Sequence, residues 1–265
     1  MNRKTISEIS ANQCYALVIG IDYIKTPEIR LNGCCADAYN MKEMLLNRFG
    51  FLNENIMIFT DDNTNITKES NTKNIEDALK YLAEKSLKEA KFIVVFYSGH
   101  GTQMLDDDND KDFEIDGKDE CWIFTDYKTQ GFFTDDKLKI NFLDNLGASV
   151  NVLIISDSCH SGSMADLSWT YNSSTKKIKN TKTNVDNKNP NIWQISGCMD
   201  PQYSEELAIN GRVCGALTHC MNEFLVKGKK IKDILNLSQS ACRKLKLSQI
   251  PVLSCNKKEL LDYML

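Results

Sequence analysis

Histidine is scarce in this chain of 265 residues: His100, His160 and His219 are the three copies. They are not spaced as ligand pairs, and no C-x-x-C occurs, which argues against a structural zinc site. No apolar run approaches the roughly 20 residues of a membrane-spanning helix. The opening MNRKTISEIS lacks the apolar core of a signal peptide. A basic stripe is also missing, and the net charge is -4, so nothing points to a nucleic acid. No internal repeat is present. These absences predict an intracellular, cytoplasmic chain with no membrane or nucleic-acid partner, its 10 cysteines reduced and mostly serving as small buried hydrophobes.

What is there is ordinary for a globular protein, with 42% hydrophobic and 26% charged residues. Apolar runs at 14–21, 55–60, 92–98, 121–125, 150–156 and 191–198, with a final short one in IPVLSC, read as strands. Helical periodicity lies between them at 35–48, 73–87 and 231–246. It recurs in TDDKLKINFLDNL, with Thr134 as N-cap, and through Val213, Leu217, Cys220, Met221 and Phe224. Strand–helix alternation of this kind predicts an α/β fold with a mainly parallel sheet covered by helices. The stretch 171–190 is rich in Asn, Lys, Thr and Ser and reads as a flexible linker.

Two core strands end in residues that carry chemistry. FIVVFYS runs into Gly99-His100-Gly101, and VNVLIIS into Asp157-Ser158-Cys159-His160-Ser161-Gly162. Ligand sites of open parallel sheets lie at the carboxyl ends of the strands. If these strands are neighbours, they lie about 4.8 Å apart, and His100 can face Cys159. A thiol nucleophile with an imidazole that moves protons is the arrangement of a cysteine hydrolase. The flanking glycines keep backbone close to substrate and leave N–H groups for an oxyanion. Singly, a His-Gly or a buried Cys is usually structural; it is the pair at two strand ends that favours function. His160 is the rival base, but adjacent residues rarely face each other at a strand end. His219 reads as packing or surface.

YSGHGTQ (97–103) and DSCHSGS (157–163) resemble the paired signatures of the metacaspases, caspase-like cysteine proteases. YALVIGIDYIKTPEIRLNGCCAD resembles the family's opening strand and G-C-x-x-D element. SGCMDPQYSEE with GALTHCMNEFL resembles the start of the small-subunit portion, and QIPVLSC the closing strand. The likeness runs from about 14 to 255. It implies a caspase-like (caspase-hemoglobinase) fold as one domain over 1–265. That domain would divide into a large-subunit-like portion (1–170), the linker (171–190) and a small-subunit-like portion (191–265). It is closest to a type I architecture without a prodomain, and it implies a monomer.

The resemblance further implies hydrolysis after Arg or Lys by a Cys159/His100 dyad. Backbone N–H groups of Gly101 and Cys159 would form the oxyanion hole. Cys34, Asp37, Ser98 and Asp157 would line the pocket for the basic side chain. Two carboxylates there would hold a guanidinium or ammonium and repel Asp, unlike a true caspase. Asp37 also suits a helix N-terminus. Asp119, Asp135, Asp136 and Asp166 match the family's calcium-binding aspartates, which implies stimulation by Ca2+. The acidic run 106–120 is no EF-hand, because neither register from Asp106 or Asp108 puts Gly at the sixth position. Lys176, Lys177, Lys179 and Lys182 make self-cleavage in the linker an expectation. A non-proteolytic scaffold with the same fold is the alternative reading, and an Asp-specific caspase a third.

Overall fold

The computed structural model describes residues 6–62, 68–105, 117–181, 190–198, 204–209 and 211–265. In chain order its elements begin with β1 (Cys14–Gly20), α1 (Cys34–Met44), β2 (Ile56–Thr60), α2 (Thr72–Lys88) and β3 (Phe92–Ser98). Next come β4 (Gly101–Leu105), β5 (Lys118–Trp122), α3 (Tyr127–Gln130), β6 (Phe133–Thr134), α4 (Asp135–Asn141) and β7 (Asn151–Asp157). The remainder supplies β8 (Trp169–Asn172), β9 (Lys177–Asn180), β10 (Asn191–Ser196), β11 (Glu206–Ile209), β12 (Arg212–Gly215), α5 (Ala216–Asn222), α6 (Ile231–Lys244) and β13 (Val252–Cys255).

Eight strands form the main sheet in the order β2-β1-β3-β7-β10-β13-β8-β9. The first five are mutually parallel and the last three antiparallel. Every residue of β1 and β3 is buried, because helices cover both faces. The pleat sorts the side chains with period two. Cys14, Ala16 and Val18 of β1 and Phe92, Val94 and Phe96 of β3 meet α1, α5 and α6 on one face. Tyr15, Leu17 and Ile19, with Ile93, Val95 and Tyr97, meet α2 and α4 on the other. Truncating one of these buried apolar side chains to Ala costs on the order of 2–5 kcal/mol.

The helices start where side chains satisfy their free N–H groups. Asn71 accepts from Asn74 N (2.9 Å) to begin α2, and Thr134 accepts from Lys137 N (3.3 Å) to begin α4. At α1, Asp22 accepts from Cys34 N (2.7 Å), and Glu206 accepts from Asn32 N (2.9 Å) and Gly33 N (3.0 Å). Helix α1 ends in a π-helical turn, Leu45–Phe49, closed by Gly50 at φ 71.

Three local expectations are corrected. The stretch between the runs at 92–98 and 121–125, to which the apolar pattern assigns no element, holds a strand: β4 pairs with β5, and β5 with β6, in a small antiparallel sheet. Val213 belongs to the β11–β12 hairpin, not to a helix. Residues 171–180 are part of the β8–β9 hairpin that extends the sheet beyond β13. Thr170 and Thr181 help to fix that hairpin, through Ser254 Oγ (3.2 Å) and Leu167 O (2.8 Å). Lys177 and Lys179 therefore lie in paired backbone. Lys182 and the acidic residues 106–116 fall outside the described residues. Among the described residues no helix is long and apolar enough to cross a membrane.

Candidate active site

The strand order reverses between β1 and β3, since β2 lies to one side of β1 and β3 with β7 to the other. A crevice at the carboxyl ends of the strands is expected there. Ser98 of β3 and Asp157 of β7 are paired in register. Two residues beyond each lie His100 and Cys159, so the pair selected from sequence leaves two adjacent strand ends together. The backbones touch just past this point: a Cβ on Gly101 would sit 2.0 Å from the Cys159 carbonyl oxygen. Only glycine allows that approach. His160 follows at φ 49, a left-handed conformation that turns the chain sharply behind the cysteine.

His100 is held on several sides. Its Nε2 lies 2.7 Å from the carbonyl oxygen of Ile29. A carbonyl only accepts, so Nε2 carries the proton and Nδ1 remains the basic nitrogen. Its backbone N–H donates to the Tyr23 hydroxyl (2.8 Å), and its carbonyl accepts from the Tyr97 hydroxyl (2.7 Å). The Tyr23 ring lies 4.9 Å from the imidazole. Tyr23 itself is buried with φ 53, backbone strain of the kind that collects at functional sites. These orienting groups were not read from sequence, since Ile29 contributes a main-chain atom that no motif encodes.

Cys159 is half-buried. Burial pushes its thiol up, a backbone N–H of Ser204 pulls it down, and the charge of Asp157 raises it again. The Ser204 N–H lies 3.3 Å from its sulfur.

The four pocket candidates cluster beside this pair. The pleat that points Phe96 and Ile155 toward α1 and α5 points Ser98 and Asp157 the same way. Ser98 Oγ donates to Asp37 Oδ2 (3.0 Å), which also accepts from Gly215 N (2.8 Å). Asp37 Oδ1 is buried and has no hydrogen-bond partner among the described residues. Asp157 accepts from Ser204 Oγ (2.7 Å) through Oδ1, and from Thr218 N (2.7 Å) and Oγ1 (2.8 Å) through Oδ2. Burial raises both carboxyls above their ordinary range, and Asp157 raises Asp37 further by like charge. Cys34 is buried at the start of α1. Gly215, Ser204 and Thr218 lay inside quoted segments but carried no signal of their own.

The acidic residues form a second cluster. Ligand oxygens of Asp119, Asp135 and Asp136 lie within 4.8 Å of one another. Asp166, at φ 52, stands close enough that its charge helps to push Asp135 up to about 8, after burial. An all-carboxylate oxygen set fits a hard divalent cation. The neighbouring buried Glu120 accepts from Gln103 Nε2 (2.9 Å) and Ser163 Oγ (2.5 Å), which ties this cluster to the loop after Cys159. A separate groove of about 430 Å³ beside β2 is lined by Glu54, Met57, Phe59, Lys68, Asp77 and Tyr81, and contains none of these residues.

The fold resembles a solved caspase-1 from Spodoptera frugiperda, with a TM-score of 0.59, 12% identity and coverage of 95% of this chain and 90% of that one. Metacaspase-1 of Schizosaccharomyces pombe is 29% identical over 290 residues, 91% of this chain and 67% of that protein. Metacaspase-1 of Plasmodium falciparum is 32% identical over 233 residues, 84% of this chain but 36% of that protein. The chain thus spans little more than a third of the Plasmodium relative. The family described as metacaspase, peptidase C14 domain, matches residues 15–168. With a caspase-like sheet and that family match over more than half its length, the chain belongs to the metacaspases, a family of cysteine-type endopeptidases.

Proposed function

We propose that this protein cleaves peptide bonds after Arg or Lys, with Cys159 as nucleophile and His100 as general acid and base. In this reading Nδ1 of His100 takes the thiol proton as sulfur bonds to the scissile carbonyl carbon. Backbone N–H groups of Gly101 and Cys159 receive the charge that develops on oxygen. The carbon–nitrogen bond breaks, and His100 returns the proton to the leaving amine. Water then releases the acyl group from sulfur, with His100 as its base. The carbonyl of Ile29 supports this role by holding the imidazole in one tautomer.

The observation that carries the specificity is the buried, unpartnered Oδ1 of Asp37 beside the filled carboxylate of Asp157. A buried acceptor without a hydrogen bond costs about 1–3 kcal/mol, and a guanidinium or ammonium relieves it. Asp37 is then the direct partner of the substrate cation, and Asp157 supplies field more than contact. An Asp side chain in the same place would meet two acids.

Calcium is the proposed activator. Asp119, Asp135 and Asp136 would hold it, with Asp166 nearby. A bound divalent ion neutralises carboxylates that otherwise repel, and so stiffens the loops carrying them. Glu120 and Ser163 connect that region to the nucleophile loop. A monomer is supported by Lys177 and Lys179 on edge strand β9, since edge lysines discourage strand-to-strand pairing. Ten free cysteines suit a reducing, cytoplasmic setting. Self-cleavage after Lys177 or Lys179 would require β9 to unpair first.

The test is hydrolysis of fluorogenic peptides ending in Arg, Lys or Asp by the protein and by Cys159→Ala, with calcium or with a chelator. Turnover of Arg and Lys peptides alone, lost in the variant and in chelator, is the expected result. Equal turnover by both proteins removes Cys159 as nucleophile, and no turnover under any condition favours a non-proteolytic scaffold.

A further inference from the structure

Ser204, just before β11, makes three contacts at the centre of the site: its carbonyl oxygen accepts from the Cys159 thiol at 3.8 Å, and two further bonds come from its donors. Its hydroxyl donates to Asp157 Oδ1 at 2.7 Å, and its backbone N–H points at the Cys159 sulfur from 3.3 Å. The anchor is rigid, because the other oxygen of Asp157 is fixed by the N–H and hydroxyl of Thr218 on α5. The segment is also held from behind. Glu205 N donates to Gln249 Oε1 (2.9 Å), Gln249 Nε2 donates to Gly197 O (2.9 Å), and Ala216 N donates to Glu205 O (2.9 Å).

The titratable groups around the sulfur make this N–H important. Asp157 precedes it by two residues, and its negative charge opposes a thiolate. The Cys198 thiol, donating to Ser158 O at 3.4 Å, and the Tyr97 phenol are both close enough to feel its charge. Neither supplies a positive charge, and His100, just past the end of β3, has its Nε2 on the Ile29 carbonyl. Against burial and a neighbouring acid, the groups that favour the thiolate are backbone N–H groups, that of Ser204 first and the cysteine's own second; such a bond strengthens when its acceptor becomes an anion, while the longer contact from the thiol to the Ser204 carbonyl is given up.

We propose that Ser204 is a positioning residue for the nucleophile: its hydroxyl, seated on Asp157, aims its own backbone N–H at the Cys159 sulfur and so favours the thiolate. Asp157 then acts twice, as a wall of the cation pocket and as the peg that sets thiol reactivity. The inference rests on Cys159 being the nucleophile and adds a residue that controls it.

The experiment follows alkylation of Cys159 by iodoacetamide as a function of pH, peptide by peptide in a mass spectrometer. It uses the unaltered protein, Ser204→Ala and Ser204→Thr, together with kcat and KM for an Arg peptide. Ser204→Ala should move the midpoint of Cys159 alkylation to higher pH. It should also lower kcat by about threefold to tenfold, the worth of one such bond, with KM little changed. Ser204→Thr keeps a hydroxyl and should restore both. Half-buried Cys214 reports general loosening, and its alkylation should be unchanged. An unshifted Cys159 profile in Ser204→Ala overturns the proposal, as does a parallel change at Cys214 or a failure of Ser204→Thr to restore. If Cys159→Ala still hydrolyses peptide, the nucleophile assignment fails on that result alone, while the alkylation profile still decides whether Ser204 tunes the thiol.

Discussion

Asp37 and Asp157 face each other across Gly215: a Cβ there would stand 2.3 Å from Oδ2 of Asp157 and 2.9 Å from Oδ2 of Asp37. The two acids come from a helix and a strand far apart in the chain, and the bare backbone of β12 is what lets them converge. Gly215→Ala should therefore push them apart. Expected effects are a loss of about 1–3 kcal/mol of stability and at least about a tenfold drop in kcat/KM for Arg peptides, equivalent to one misplaced charged hydrogen bond. Urea unfolding and steady-state kinetics check both, and unchanged kinetics would remove Gly215 from the pocket.

The raised carboxyl of Asp37 has a signed consequence. Burial, and then the charge of Asp157, lift it above the ordinary value of 3.8. The folded protein thus binds this proton more tightly than the unfolded chain. Its contribution to stability is full below about pH 4 and fades as pH rises through the raised value. Asp37→Asn should flatten that decline in unfolding free energy while weakening turnover of basic peptides. An unaltered slope in the variant would mean that another group sets it.

Asp135 gives a second window. Its carboxyl is pushed up to about 8 by burial, and next by Asp166. In chelator, stability should decline as pH rises from about 4 toward 8, because the unfolded chain ionises first. Calcium should abolish this decline and raise the melting temperature. Asp135→Asn should melt higher than the unaltered protein in chelator at pH 8 and lose the calcium response. A calcium-induced shift that survives in the variant would place the ion elsewhere.

His100 is predicted to carry a proton on Nε2 in the resting protein, because Ile29 offers that nitrogen only an acceptor. Nitrogen NMR of labelled histidine distinguishes the tautomers directly. His100→Ala should lower kcat by about 10²–10⁴ while leaving the protein folded. Protonation on Nδ1 instead would turn the basic nitrogen away from its proposed task.

Much of the sheet was legible because buried parallel strands read as unbroken apolar runs, as FIVVFYS does over the whole of β3. His100 and Cys159 stand out in the sequence because they come immediately after such runs. The pieces that escaped notice have no such contrast. Strand β4, GTQML, is partly exposed along its length, and β9 is exposed at every residue, so their pairing is fixed by neighbours and not by their own pattern. Val213 sits at helical spacing from Leu217 but is claimed by a hairpin partner, Ala208. The pocket partners were hidden for another reason: Gly215 and Ser204 act largely through main-chain atoms and short contacts, which residue identity alone does not announce.

Asp37 accepts a hydrogen bond from a residue 178 positions further along. During synthesis, His100 and Cys159 leave the ribosome well before Gly215 and Thr218. A growing chain at that stage carries His100 and Cys159 without the residues that hold Asp37 and Asp157 in place. On the proposed specificity, recognition of a basic residue is then among the last properties the molecule acquires.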